Sequence, residues 1–330
     1  MSIQIMKSGI QDTIQDQGRV GYRHLGINKS GVMDDYAFKV VNMLVGNNLD
    51  EAVIEMHFPA STILFEKETL IAISGADFSA TINGEEIPLN HPILVCKNSI
   101  LQFQKKINGT VCYLAVRGGF DISKWLNSKS TNLKVVYGGY HGRSLIKGDV
   151  IKINTTDILC RGVCDKDFIV LPWQTDSFYN QNENIEICVL KGPEWENLTE
   201  ESKKDFIPNS YSILPSSDRM GYRLSGSALN CESEKEIISS AVCFGSIQLL
   251  PDGQLIILMA DHQTTGGYPR IAQIVSANLS KIAQKGPLEK IQFTFVDQIV
   301  AEEMRIKQDR HLTQLQNACS FKLEEYFNGK

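Results

Sequence analysis

Short apolar or alternating runs, each stopped by Gly, Asn, Asp or Pro, recur along this chain and constrain its fold more than any other feature. They occupy 61–65, 70–74, 79–82, 93–95, 100–103 and 111–116, then 150–153, 185–190, 212–214, 246–250, 255–259 and 290–296. Asn83-Gly84 and Asp252-Gly253 stand between such runs. Asn-Gly and Asp-Gly make tight hairpins because both central residues tolerate positive φ. Regular short strands with such turns predict a mainly β chain built from barrels or sandwiches. Helical spacing is confined to 33–45, parts of 194–205 and 264–283, and a C-terminal stretch, 304–327, with Leu312, Leu315, Cys319 and Leu323 on one side. The strand pattern lapses near 154–168. We therefore expect a β-rich half at 1–157, a second at 158–300 and a C-terminal helix at 301–330.

One strand end stands out. The apolar run 254–259 stops at Ala260-Asp261-His262-Gln263-Thr264-Thr265-Gly266-Gly267-Tyr268-Pro269. Glycines permit close backbone approach, and Pro269 stiffens the exit. Polar groups carried from a strand end onto a Gly-rich loop are a common way to build a site on a rigid support. A polar surface turn would use the same residue types. A second block occurs twice: Arg19-Val20-Gly21-Tyr22-Arg23 and Arg219-Met220-Gly221-Tyr222-Arg223, each preceded by Asp and followed within two residues by Leu. The echo suggests two related halves, or two Arg–Asp pairs that only pin loops.

The candidate catalytic residues are Asp261, His262, Arg219 and Arg19. Asp261 or His262 would act as base, and the guanidiniums match carboxylate or phosphate. Arg23, Tyr22, Arg223, Tyr222, Gln263, Thr264, Thr265, Gly266, Gly267 and Tyr268 are candidates for holding a substrate or an anion. Ser30, Asp34 and Asp77 read equally as caps and turn formers, with the cap favoured for Ser30.

The chain resembles the biotin-dependent carboxyltransferase, or allophanate hydrolase subunit 2, family, whose members include KipA and the C component of bacterial 5-oxoprolinase. The resemblance rests on Gln15–Leu25, Ser30–Asp34, Ser74–Asp77, Tyr113–Phe120, Gly138–Asp149, Ser217–Leu224 and Leu250–Pro269, in the family's order. Asn127-Ser128-Lys129-Ser130-Thr131-Asn132 departs from the family's Gly-Ser-Arg-Ser-Thr-Asp, and that loop is assigned no role. The family implies two cyclophilin-like β-barrel units. It also implies an ATP-dependent 5-oxoprolinase that opens 5-oxoproline to glutamate together with two partners, one KipI-like and one LamB/YcsF-like. ATP, with Mg, would then be shared with those partners. The family's alternatives are carboxyl transfer from carboxybiotin to a urea-like acceptor, and a KipA-type regulator that binds a kinase inhibitor. At 330 residues the chain looks like a free-standing component of such an enzyme, which favours the 5-oxoprolinase reading.

Composition narrows the rest. A formal charge of −5 argues against a nucleic-acid or anionic-membrane binder. No apolar run reaches transmembrane length and no signal peptide opens the chain, so a cytoplasmic location is expected. The eight cysteines are scattered, most in apolar surroundings that suggest buried thiols. Cys160 and Cys164 lack the further ligands zinc needs, so no metal is indicated. There is no P-loop and no biotin-attachment lysine motif, so biotin is not expected to be attached to this chain.

Overall fold

The computed structural model describes residues 1–154, 166–176, 186–232 and 237–328. By internal contact the chain divides into two units. The first comprises Met1–Gly18, Asp34–Phe178 and Arg310–Lys330; the second comprises Arg19–Met33 and Tyr179–Asp309. The expected boundary at 157/158, with Cys160 and Cys164, lies outside the described residues.

Unit 1 is built on two six-stranded antiparallel sheets. One runs in the order Val150–Lys152, Ser2–Lys7, Thr62–Phe65, Ile100–Phe103, Ala80–Ile82, Glu85–Glu86. The other runs Phe168–Val170, Pro92–Val95, Thr69–Asp77, Asn108–Val116, Val53–Met56, Thr13–Gln15. Alternation sends Ile3, Ile5, Ile63 and Phe65 of the first and Ile54, Ile71, Ile73 and Leu114 of the second into one core. Asn83 (φ 49°) and Gly84 (φ 90°) turn the 80–86 hairpin as their sequence predicts.

Helix Asp35–Val45 lies in this unit, two residues later than its periodicity suggested. Its N-cap is Asp34, whose carboxylate accepts from Ala37 N at 3.0 Å, and not Ser30. Gly46, at φ 72°, ends it. Asp77 is a turn former, accepting from Ser79 N at 2.8 Å. In the loop 127–132, to which the sequence assigned no role, Ser128 to Asn132 are buried beside Asp16 and Asn127 is exposed. Asp16 accepts from Ser128 Oγ (2.7 Å), Ser130 Oγ (2.6 Å) and Lys129 N (2.5 Å). Lys129 Nζ reaches Glu51 at 2.5 Å, so a cation is retained there.

The C-terminal helix is Gln298–Asn328. Within unit 2 Ala301 packs in a small cluster with Val275 and Ala277. Within unit 1 Phe327 lies under the Arg117 guanidinium (4.9 Å), and Tyr326 meets Trp173 edge-on (5.9 Å).

Unit 2 holds a closed seven-stranded barrel: Glu186–Lys191, Arg270–Ile274, Ser246–Leu249, Leu255–Leu258, Gly221–Ser225, Ser210–Ile213 and Lys290–Phe295. Parallel pairing of the first and last strands closes it. Ile187, Val189, Leu224, Ile247, Ile257 and Phe293 are fully buried. Phe206, from helix Glu200–Phe206, stacks on Phe293 at 5.1 Å, with Trp195 and Tyr211 around it. The chain is thus mainly β with a C-terminal helix, as expected; unit 2 closes into a barrel, and unit 1 consists of paired sheets.

The helix expected within 264–283 shrinks to Leu279–Ala283. Gly266, Gly267 and Pro269 oppose helix propagation, and Ile271 and Ala272 feed a barrel strand instead. Cys243, expected to be buried, is exposed in the turn before strand Ser246–Leu249, and its Sγ meets Gln273 Oε1 at 3.2 Å. Among the described residues no helix is long and apolar enough to cross a membrane.

Two outcomes follow from this packing. Phe206→Ala should destabilise unit 2 by about 3–5 kcal/mol, read by urea denaturation, because it empties the centre of a ring cluster. Asp12 is buried and accepts from Ser61 N (2.6 Å) and His57 N (3.3 Å). Burial pushes its carboxyl up from 3.8 to about 6, against the pull of those bonds. A carboxyl whose pKa is raised in the folded state contributes stability that is complete below 3.8 and lost as pH rises through about 6. The loss is on the order of 3 kcal/mol. The stability difference between wild type and Asp12→Asn should shift towards the variant between pH 4 and 7; a flat difference would contradict this.

Candidate functional site

The barrel strand Leu255–Leu258 leaves unit 2's core through Met259 and Ala260, both buried, and delivers Asp261 and His262 at its end. Asp261 N donates to Arg219 O at 2.7 Å, because residues 221–225 pair with this strand and bring the preceding turn alongside. The side chains complete the join. Arg219 Nε donates to Asp261 Oδ2 at 2.8 Å, and Arg219 Nη2 to Asp261 Oδ1 (3.3 Å) and the Gly31 carbonyl. Ser30 Oγ donates to Asp261 Oδ1 at 2.5 Å, and Asn28 Nδ2 to the Asp261 carbonyl at 3.0 Å. Arg219 and Asp261 are both buried. The segment Arg19–Met33 is thereby tied to two barrel strand ends. Ser30 (φ 56°) and Gly31 (φ 98°) both lie at positive φ, which turns the chain so that hydroxyl and carbonyl face the ion pair.

His262 follows directly and is also buried. Its Nδ1 lies 2.5 Å from the Gln263 carbonyl. A carbonyl only accepts, so Nδ1 carries the hydrogen, and in the neutral ring Nε2 holds the lone pair. Burial holds the imidazole below its ordinary pKa of 6.5. The positive charges of Arg23 and Lys29 push the same way, while the Gln263 bond and Asp261 oppose.

Beyond His262, Thr265–Gly266 pairs with Ser240–Ala241 as a short ribbon. A Cβ on Gly266 would lie 2.7 Å from Gln248 Nε2, so any larger residue here must push that amide off the Tyr268 carbonyl to which it donates. Arg23 clamps the ribbon: its Nη2 donates to the Val242 and Thr264 carbonyls. Thr265, Gly267 and Tyr268 are exposed; Gln263, Thr264 and Gly266 are half-buried.

All fourteen sequence candidates are in unit 2, but not on one surface. Arg19 is wholly buried. Tyr222 is buried, its hydroxyl donating to the Ala283 carbonyl at 3.4 Å, whereas Tyr22 is half-buried and Arg223 is exposed. The repeated pentapeptide has two conformations. Its first copy has Gly21 at φ 96° and enters the 3-10 turn Arg23–Leu25, while its second runs into strand Gly221–Ser225. The echo is therefore of composition and not of structure. Sequence reasoning missed Asn28 and the Ser30 hydroxyl as partners of Asp261; the Ser30-Gly31 dipeptide, suited to positive φ, was the available signal. Among the described residues no group of three or more His, Cys, Asp or Glu is placed to hold a metal ion.

Residues 25–295 match the family model for the carboxyltransferase domain, subdomain A and B. The chain is 33% identical to the C component of 5-oxoprolinase from Haemophilus influenzae, over 95% of this chain and 97% of that protein. It is 30% identical to urea amidolyase of Lachancea kluyveri over 96% of this chain, but spans only 18% of that protein. Among solved structures, urea amidolyase of Kluyveromyces lactis superposes with a TM-score of 0.84 at 29% identity, covering 95% of this chain and 20% of that one. A motif set in order, a closed barrel and a match spanning most of the sequence agree: this chain belongs to the carboxyltransferase domain, subdomain A and B, family.

Proposed function

We propose that this chain is the C component of an ATP-dependent 5-oxoprolinase that opens 5-oxoproline to glutamate. One observation carries the reading: the match to the 5-oxoprolinase component is end to end, 97% of that protein, whereas urea amidolyase is matched over 18% of its length. In this reading a KipI-like partner and a LamB/YcsF-like partner complete the enzyme, and ATP with Mg is shared with them. ATP supplies the phosphoryl group that activates the amide oxygen.

The geometry supports different work for Asp261 and His262. Both Asp261 oxygens are engaged by Arg219 and Ser30, so its role is to hold the strand ends together. His262 Nε2 is the acceptor, and burial keeps the ring neutral near pH 7, where it can take a proton. A second reading, carboxyl transfer to a urea-like acceptor, is supported by the 0.84 superposition on urea amidolyase. There the same Nε2 would remove the acceptor's proton.

ADP and glutamate release from 5-oxoproline and ATP should require this chain and both candidate partners, and each omission should abolish it. Failure of turnover by the folded, associated proteins would sink the proposal. Because the base must be neutral, the rate should rise with pH through a value below 6.5 and level off near 7. His262→Gln should lower kcat about 10²-fold or more and remove that limb. Asp261→Asn removes the carboxylate from the buried ion pair with Arg219 and should cost about 3–5 kcal/mol of stability, read by denaturation.

A further inference from the structure

Arg23 is only partly used by the fold. Its Nη2 is committed to the Val242 and Thr264 carbonyls, which fixes the guanidinium against the ribbon. Among the described residues Nε and Nη1 have no protein partner, and the side chain is half-exposed. A guanidinium has five N–H donors and no acceptor. An ion anchored on one nitrogen, with donors left over, is pre-organised to bind an anion at little further entropic cost. A residue that only clamped the ribbon would not need a second charged face.

Arg23 also has company. Lys29 is exposed and stands between Asn28 and Ser30, both bonded to Asp261, the residue before His262. Arg23 is tied to Thr264 just after His262, and Lys29 is held by its neighbours at Asp261 just before it, so two cationic residues are anchored on either side of His262 in the chain. Among the described residues neither Arg23 nor Lys29 forms a salt bridge within the protein. Asp261, the nearest acid in sequence to His262, is taken by Arg219 and Ser30.

We propose that Arg23, through Nε and Nη1, and Lys29 form the subsite for a substrate carboxylate, placing a small carboxylic acid with its reacting group beside His262. This rests on the 5-oxoproline reading for the identity of the acid. It adds which end of the molecule is recognised and by what. The site then selects acids over uncharged cyclic amides of the same ring size. Such discrimination arises because an uncharged analogue leaves both cations without a counter-ion.

The test compares 5-oxoproline with 2-pyrrolidinone, the same lactam without the carboxylate. Binding of each to the full chain is followed by calorimetry and by the His262 ring signals, and KM for each is measured in the assembled complex. Wild type should bind 5-oxoproline at least tenfold more tightly than 2-pyrrolidinone. Arg23→Gln and Lys29→Gln should erase most of that preference and leave 2-pyrrolidinone unchanged. Because Lys29 is exposed, its variant keeps the test informative if Arg23→Gln loosens the ribbon. The proposal is overturned if both ligands weaken together, if wild type shows no preference, or if neither binds. Charge-dependent binding without turnover by the complex would leave the subsite standing and remove the 5-oxoprolinase reading.

Discussion

The buried pair of Arg219 and Asp261 is the interaction on which the site depends. Two charges withdrawn from water are tolerable only when each is matched and its remaining hydrogen-bonding capacity is filled. Here Ser30 Oγ fills Asp261 Oδ1, and the Gly31 carbonyl takes an N–H of Arg219. The pair therefore fixes three pieces of chain at once: the turn before strand Gly221–Ser225, the end of strand Leu255–Leu258, and the segment around Ser30. His262, one residue beyond, inherits its position from that junction.

A division of labour follows. Of the charged groups at this barrel end, Arg219 and Asp261 are spent on structure, and Arg19 is buried. His262 and Arg23 keep one side for the fold and one for something else. The imidazole is tied at Nδ1 and the guanidinium at Nη2. Half-committed side chains of this kind are rigid without being exhausted, which is what a site on a fixed support requires.

Much of this was legible in the sequence. Strand ends such as Ile100–Phe103 and Leu255–Leu258 followed from apolar runs bounded by turn residues, and the Asp261-to-Tyr268 loop stood out because no core needs it. What was not legible depended on distant partners. Ser30 reads as a cap in any local window; only its proximity to Asp261, 231 residues away, gives the hydroxyl another task. The expected helix within 264–283 failed because barrel closure recruits Arg270–Ile274 as a strand between two others. The two Arg-x-Gly-Tyr-Arg copies look alike, yet neighbouring strands decide which one extends. Local pattern reports propensity, and tertiary pairing overrides it.

The separation between Ser30 and Asp261 has a consequence for how the protein comes into being. Residues 28–31 leave the ribosome long before the acid and guanidinium they will engage exist. Until then the contacts that Ser30 and Gly31 make to Asp261 and Arg219, across their left-handed backbone, are missing. Contacts of such sequence separation form late, since the entropy of closing the loop precedes any gain from the contact. The barrel pairings, from Ser212↔Ser225 to Glu186↔Gln292, all span less sequence than the Ser30–Asp261 contact, so the barrel is able to form first. The ion pair would then wait, half-matched, for the N-terminal segment to arrive, so chemical competence becomes the last property the chain acquires.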